Sequence, residues 1–362
     1  MTAGGGTGGR RSPEVDQHPL VVRTQELAEG MLAPSAAEVD RTVVPASHLD
    51  ALAAAGVLAA SGPPELGGVP GPVGRRVQEL LAGADLSTWF VQTQHQGAMR
   101  ALVSHDAPDG VLADLAAGRR RAGIAFSHLR RRPARVLSAT PDGDGWRLDG
   151  TAPWYTGWGL TDVAVMGALT GDDRVVLALV EPRESATLRA GEQLATAALA
   201  AARTVPLTLD GYRVPRSDVV VVQPAGAWAA ADALGTANTP PAVFGLAESC
   251  LRLLAEHGVR RREPAAVAAA AALGAELDDV QDRAYHLVDA VPPGEALAER
   301  LALRARALRL AVDAGTALVT AGAGGAMAAG APAQRKAREA LFLLVQAQTA
   351  DVRAATLATF AH

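Results

Sequence analysis

Lysine is nearly missing from this chain. Of 34 basic side chains all but Lys336 are arginine, in a sequence that is also very rich in alanine. Both biases read as those of a GC-rich genome, so neither Ala runs nor Arg richness is a functional signal. Cysteine is equally scarce. Cys250 stands alone, which excludes an internal disulfide and a cysteine cluster for zinc or an iron–sulfur centre. It lies in an apolar run, residues 242–254, and reads as a buried, inert thiol. A net positive charge is lacking as well: the formal net charge is -4, which argues against a nucleic-acid partner. The Gly-rich start carries Arg10 and Arg11 but no apolar core of a signal peptide. No charge-free run of 18 apolar residues occurs outside Ala-rich helices, so no membrane span and a cytoplasmic location are expected.

What is present changes texture twice. Residues 1–16 are expected to be disordered. Residues 17–120 read as a helical domain: Leu20, Thr24, Leu27 and Met31 recur at helical spacing. Pro45 opens a helix that Gly56 ends, and further helices are expected at 74–81, 87–103 and 110–117. Residues 121–224 read as strands and turns. Short apolar or alternating runs at 122–127, 146–149, 163–169, 174–180, 204–214 and 219–222 flank Gly- and Asp-rich turns. Residues 225–362 are helical again, with breaks at 261–264, 292–294 and 322–325. The expected fold class is therefore α+β: an N-terminal helical domain, a middle antiparallel β barrel or sandwich, and a C-terminal four-helix bundle.

Several ordered motifs carry a resemblance across about residues 20–360. They are Pro45-x-x-His48-Leu49-x-x-Leu52 followed by Pro64-Glu65-Leu66-Gly67-Gly68, the strand Leu148-Asp149-Gly150-Thr151-Ala152-Pro153-Trp154-Tyr155-Thr156-Gly157, the strand from Val205 that ends in Val214-Pro215, a Gly-rich turn at 320–327, and a last helix opening near Pro332. Together they resemble the acyl-CoA dehydrogenase superfamily. The resemblance implies FAD as cofactor. It implies that Trp154 packs against the flavin ring and that the Thr156 hydroxyl faces flavin N5, roles that suit a flat aromatic and a hydroxyl. Phe126 and Ser127 fall where relatives carry flavin-contacting residues at the end of the first β strand. Gly322, Gly324 and Gly325 resemble the turn where a partner subunit's FAD approaches the backbone, which glycine permits. Thr349 and Asp351 fall where relatives place polar residues against the nucleotide. Arg130, Arg131, Arg132 and Arg135 read either as a solvated turn or as an anion site for a substrate phosphate or carboxylate.

The departures matter as much. Relatives abstract an α-proton with a glutamate, and the two places where it occurs fall here on Ala347 and near Thr236, neither of which accepts a proton. Glu248 lies about three turns along the helix from Thr236. The run Arg260-Arg261-Arg262-Glu263-Pro264 departs from the "R-x-x-F" that relatives use toward a neighbouring FAD. Three functions stay open: an FAD-dependent oxidoreductase of acyl-CoA or acyl-carrier thioesters, a flavin monooxygenase on the same fold with His95 as candidate catalytic residue, and a flavin-free scaffold or partner subunit. A homodimer or homotetramer is expected from the glycine turn and the apolar last helix. No metal site is expected.

Overall fold

The computed structural model describes residues 12–105, 110–131 and 136–361. Thirteen α-helices and eight strands follow one another in the order helical, β, helical among these residues. The first helices are α1 (Pro13–Asp16), α2 (Pro19–Leu27), α3 (Ala33–Arg41), α4 (Ala46–Ala54), α5 (Gly71–Ala84), α6 (Leu86–Val103) and α7 (Val111–Ala116). α1 corrects the expectation of disorder up to residue 16. Pro13 at its first turn fixes φ and needs no amide partner there. α4 stops where expected, because Gly56 takes φ 84°, which suits glycine alone.

The strands are β1 (Ala122–Ala125), β2 (Leu137–Asp142), β3 (Gly145–Tyr155), β4 (Val163–Leu169), β5 (Arg174–Val180), β6 (Leu188–Ala190), β7 (Val205–Val214) and β8 (Val219–Pro224). They form one sheet in the order β6-β7-β3-β2-β4-β5-β8, with β1 against β4. Pairing is antiparallel except at β1–β4 and β2–β4. Every residue of β4 is buried, so its uninterrupted apolar run is that of a strand covered on both faces. Gly150 (φ 124°) sits so close to the next strand that a Cβ would lie 2.3 Å from the Val136 carbonyl oxygen.

The later helices are α8 (Ala225–Ala237), α9 (Pro241–Arg261), α10 (Pro264–Ala290), α11 (Leu297–Gly322), α12 (Pro332–Val345) and α13 (Ala350–Ala358). Proline at the first position starts α9, α10 and α12. The expected single last helix is two, because Ala347 takes φ 50° and Thr349 caps α13. Among the described residues Leu297–Met327 is long and apolar enough to cross a membrane (mean hydropathy 1.2). Its α11 portion packs against α9, α10 and α12, and it buries Arg300 and Arg304.

The chain divides into two compact units. The first comprises Met1–Ala28, Gly71–Ala84 and Ala233–His362; the second comprises Glu29–Pro70 and Asp85–Asp232. Residues 17–120 thus contribute to both. In the first unit α9 is central, touching α5, α10, α11 and α12. A Cβ on Gly245 of α9 would lie 2.0 Å from the Glu79 carbonyl oxygen of α5, so only glycine allows this crossing. In the second unit the sheet encloses one apolar core that includes Leu148, Tyr155, Met166 and Leu207. A second core lies between the sheet and α6–α7, with Met99, Leu102, Leu115 and Val165.

Candidate functional site

The second unit presents Trp154, Thr156, Phe126 and Ser127 near the ends of β3 and β1. Along β3 the side chains alternate: Tyr155 is buried and Trp154 is 46% exposed. An exposed indole beside a well-filled apolar core is the unusual observation here. Thr156 is buried, and its Oγ1 lies 3.0 Å from the Thr204 Oγ1. Tyr155 ties β3 to β1, because a Cβ on Gly123 would lie 2.7 Å from its hydroxyl. That hydroxyl also bonds Thr161 Oγ1, at 2.5 Å. Phe126 is half-buried and meets Trp228 edge to face at 6.3 Å, while Ser127 opens a 3₁₀ turn. His128 in that turn is buried, with Nε2 2.7 Å from the Gly167 carbonyl oxygen.

Two expected residues of this unit are already engaged. The Arg130 guanidinium holds Asp232 through two hydrogen bonds of 2.7 Å, so an anion there would compete with an internal carboxylate. Arg131 is exposed, and Arg132 and Arg135 lie outside the described residues. His95 is buried in α6. Its Nδ1 accepts the Ala122 amide hydrogen at 3.1 Å, which leaves Nε2 as the protonated nitrogen, buried and without a hydrogen-bond partner among the described residues. Burial lowers its pKa to about 4, so the ring is neutral and holds the start of β1.

In the first unit the glycine turn borders a cavity of about 250 Å³. Gly322 and Gly325 line it together with Glu256, His257 and Arg260 at the end of α9 and Pro332 at the start of α12. A Cβ on Gly324 or Gly325 would meet nothing within 4 Å, whereas one on Gly322 would press on Ala326. Open backbone beside a guanidinium is chemistry suited to an anion. Arg260 therefore stands with the glycine turn although its sequence context is altered. Thr349 and Asp351 are not among the lining residues; Thr349 Oγ1 accepts from the Val352 amide as the α13 cap, and Asp351 is exposed.

The two positions where a proton-abstracting carboxylate was sought converge on one cation. Arg304, 2% exposed, donates through Nη1 to the Thr236 carbonyl and through Nη2 to the carbonyls of Gln346 (3.1 Å) and Ala347 (3.3 Å). Arg304 is a residue that sequence reasoning missed; a single arginine within an Arg-rich helix gives no signal of its own. The buried carboxylates of this unit are bound internally. Glu79 accepts from Tyr285, Gln281 and Arg76, and Glu339 from Arg335. Among the described residues no group of three His, Cys, Asp or Glu is placed to hold a metal.

No protein-family model matches the chain, and no curated protein matches it in sequence. Solved structures do match in shape. A butyryl-CoA dehydrogenase from Megasphaera elsdenii is 17% identical, with a TM-score of 0.78, and the match covers 97% of this chain and 99% of that one. A glutaryl-CoA dehydrogenase from Mycobacterium smegmatis, in complex with FADH2, is 18% identical over 97% of this chain and 95% of that one, at 0.80. A dibenzothiophene monooxygenase from Paenibacillus is 19% identical over 95% and 97%, at 0.75. Over nearly its whole length, the chain has the acyl-CoA dehydrogenase fold.

Proposed function

We propose that this protein is a flavin-dependent oxidoreductase that binds FAD and works as a homodimer or homotetramer. The observation that carries the reading is the cavity beside the glycine turn, which Arg260 lines together with the open backbone of Gly325, on a fold whose neighbours include flavoproteins. In this reading Arg260 and the glycine turn receive the pyrophosphate of FAD from a second copy. Trp154 gives the flavin ring an apolar face, and Thr156 offers its hydroxyl at the ring edge. Bound FAD supplies a two-electron acceptor. The side chains supply orientation, and the apolar wall supplies exclusion of water. An acyl-CoA or acyl-carrier thioester is the substrate class that the dehydrogenase neighbours suggest. The visible spectrum of the purified protein tests the cofactor: a flavin band supports the reading, and a colourless protein that takes up no added FAD sinks it. Sedimentation tests the assembly, where a flavin-loaded monomer is the contrary result.

A monooxygenase reading is favoured by one observation. Arg304 binds the carbonyls of Thr236 and Ala347, and neither residue is a carboxylate. A reaction that needs no α-proton base fits such a site. Ordinary acyl-CoAs are then expected to bleach the flavin slowly, since a positioned base contributes roughly 10²–10⁴ in rate. The Ala347→Glu variant separates the readings. Gain of bleaching supports an acyl pocket that lacks only its base; rapid bleaching by the unmodified protein means that a base lies elsewhere.

A further inference from the structure

Three helices of the second unit bring four side chains into one run of hydrogen bonds. Ser35 stands in α3, His48 in α4 and Thr88 in α6, and Asp85 caps the start of α6. His48, Thr88 and Asp85 are buried, whereas Ser35 is half-buried and sits beside the exposed Ala33, Pro34 and Glu38. Asp85 accepts from the Ser87 amide at 3.1 Å and from the Thr88 hydroxyl at 2.6 Å. The Thr88 Oγ1 lies 2.9 Å from His48 Nδ1, and His48 Nε2 lies 3.3 Å from Ser35 Oγ.

These contacts fix where the protons are. A carboxylate only accepts, so the single Thr88 proton goes to Asp85. His48 Nδ1 is then the donor to Thr88 Oγ1. A neutral ring keeps its other nitrogen unprotonated, so Nε2 directs a lone pair at Ser35 Oγ. Burial lowers the His48 pKa, which keeps the ring neutral at pH 7. Asp85 Oδ2 lies 4.0 Å from Nδ1, close enough to stabilise positive charge that the ring acquires. The Ser35 hydroxyl rests on the Met31 carbonyl at 2.7 Å, and rotation about its Cβ–Oγ bond turns the proton to Nε2 with no heavy atom moving. A histidine that only tied helices together would need no lone pair facing a hydroxyl that reaches solvent.

We propose that Ser35 is a nucleophilic acyl acceptor, with His48 as its general base and Thr88 and Asp85 as positioning residues, and that it takes its acyl group from an activated ester or thioester. This activity is separate from the flavin reading. Ser35 Oγ bonds to the acyl carbonyl carbon as its proton passes to His48 Nε2. The bond from that carbon to the ester oxygen or thioester sulfur breaks, and the departing group leaves with the electron pair and then takes the proton from His48. The products are an ester on Ser35 and a free alcohol or thiol, with no change of oxidation state.

Ser104 supplies an internal control. It is exposed, and its hydroxyl donates to the Arg100 carbonyl at 2.8 Å, the same one-turn bond that Ser35 makes. Among the described residues no imidazole bonds it. The test treats the full-length protein with p-nitrophenyl acetate and locates the acetylated peptides by mass spectrometry. Ser35 is expected to be acetylated at least about tenfold faster than Ser104, and His48→Gln to slow Ser35 by roughly 10². Ser35→Ala is expected to remove the fast phase of p-nitrophenolate release. Thr88→Ser keeps the rate and Thr88→Val lowers it, which separates alignment of the ring from packing. Acetylation of Ser35 no faster than that of Ser104, or at an unchanged rate in a folded His48→Gln variant, overturns the proposal. If His48→Gln does not fold, the ratio of Ser35 to Ser104 and the Thr88 pair decide it.

Discussion

The two units bury polarity in opposite ways. The first hides ions: Arg300, Arg304, Arg335, Lys336, Glu79 and Glu339 are all buried there. The second hides mainly neutral groups, His48, His95, His128, Gln92, Gln96 and Thr156, and its buried carboxylate Asp85 is held by the neutral donors Ser87 N–H and Thr88 Oγ1. The difference follows from the elements. Long helices end inside the first unit and leave carbonyls that need donors, and arginine supplies several donors from one side chain. Arg300 alone reaches the carbonyls of Leu287, Val291, Pro292 and Glu295. In the second unit the sheet satisfies its own backbone, and single amides at strand ends need only one acceptor, such as His95 Nδ1.

If this comparison is right, removing one ion from the first unit has the largest effect. Glu339 bonds Arg335 at 2.8 Å and lies 3.3 Å from the Lys336 Nζ, which itself donates to the Gly83 carbonyl. Burial already lowers the Lys336 pKa, and Glu339 is what offsets it. Glu339→Leu is expected to lower stability by about 3–5 kcal/mol, since two cations lose their carboxylate. Urea unfolding measures it; a loss below 1 kcal/mol would show that the cluster is not a stabilising unit.

The second unit responds to pH instead. Burial lowers the pKa of His95 to about 4, and it also lowers those of His48 and His128. A histidine depressed on folding binds more protons when unfolded, so stability rises with pH between the two values. The His95 contribution is complete above about pH 6.5 and is lost as pH falls toward 4, by about 3 kcal/mol. Stability measured against pH in the unmodified protein and in His95→Gln checks this. Equal slopes between pH 6.5 and 4.5 would remove His95 from the account.

The elements were largely legible before the structure. β4 and β5 fall on the expected runs, and the helix breaks near 261–264 and 292–294 appear where proline and glycine mark them. β2 and β6 were missed because both are short: the Leu137-Ser138-Ala139-Thr140 alternation of β2 runs at once into Pro141-Asp142, and β6 has three residues. The break before α13 was hidden for another reason. Ala347 adopts a left-handed backbone with no glycine to announce it, and the carbonyls that bind Arg304 come from distant sequence. The site was legible only as separate residues. Trp154 and the glycine turn were visible by type, but no periodicity reveals that Arg260 shares a cavity with Gly325.

The smallest effect belongs to the neutral hydroxyl pair of the second unit. Thr156 and Thr204 bond through their Oγ1 atoms, so Thr156→Val keeps the shape and removes one hydrogen bond, at a cost of about 1 kcal/mol. Thr204→Val breaks the same bond from the other side. If the pair is only structural, the two variants lose similar stability and keep the same flavin affinity and reduction rate. If Thr156 also serves the flavin, its variant alone binds flavin more weakly or reduces it more slowly, because Thr204→Val leaves the Thr156 hydroxyl in place. Fluorescence titration with FAD and stopped-flow reduction of both variants separate the cases. Matching behaviour in every readout would leave Thr156 a structural residue just past the end of β3 and nothing more.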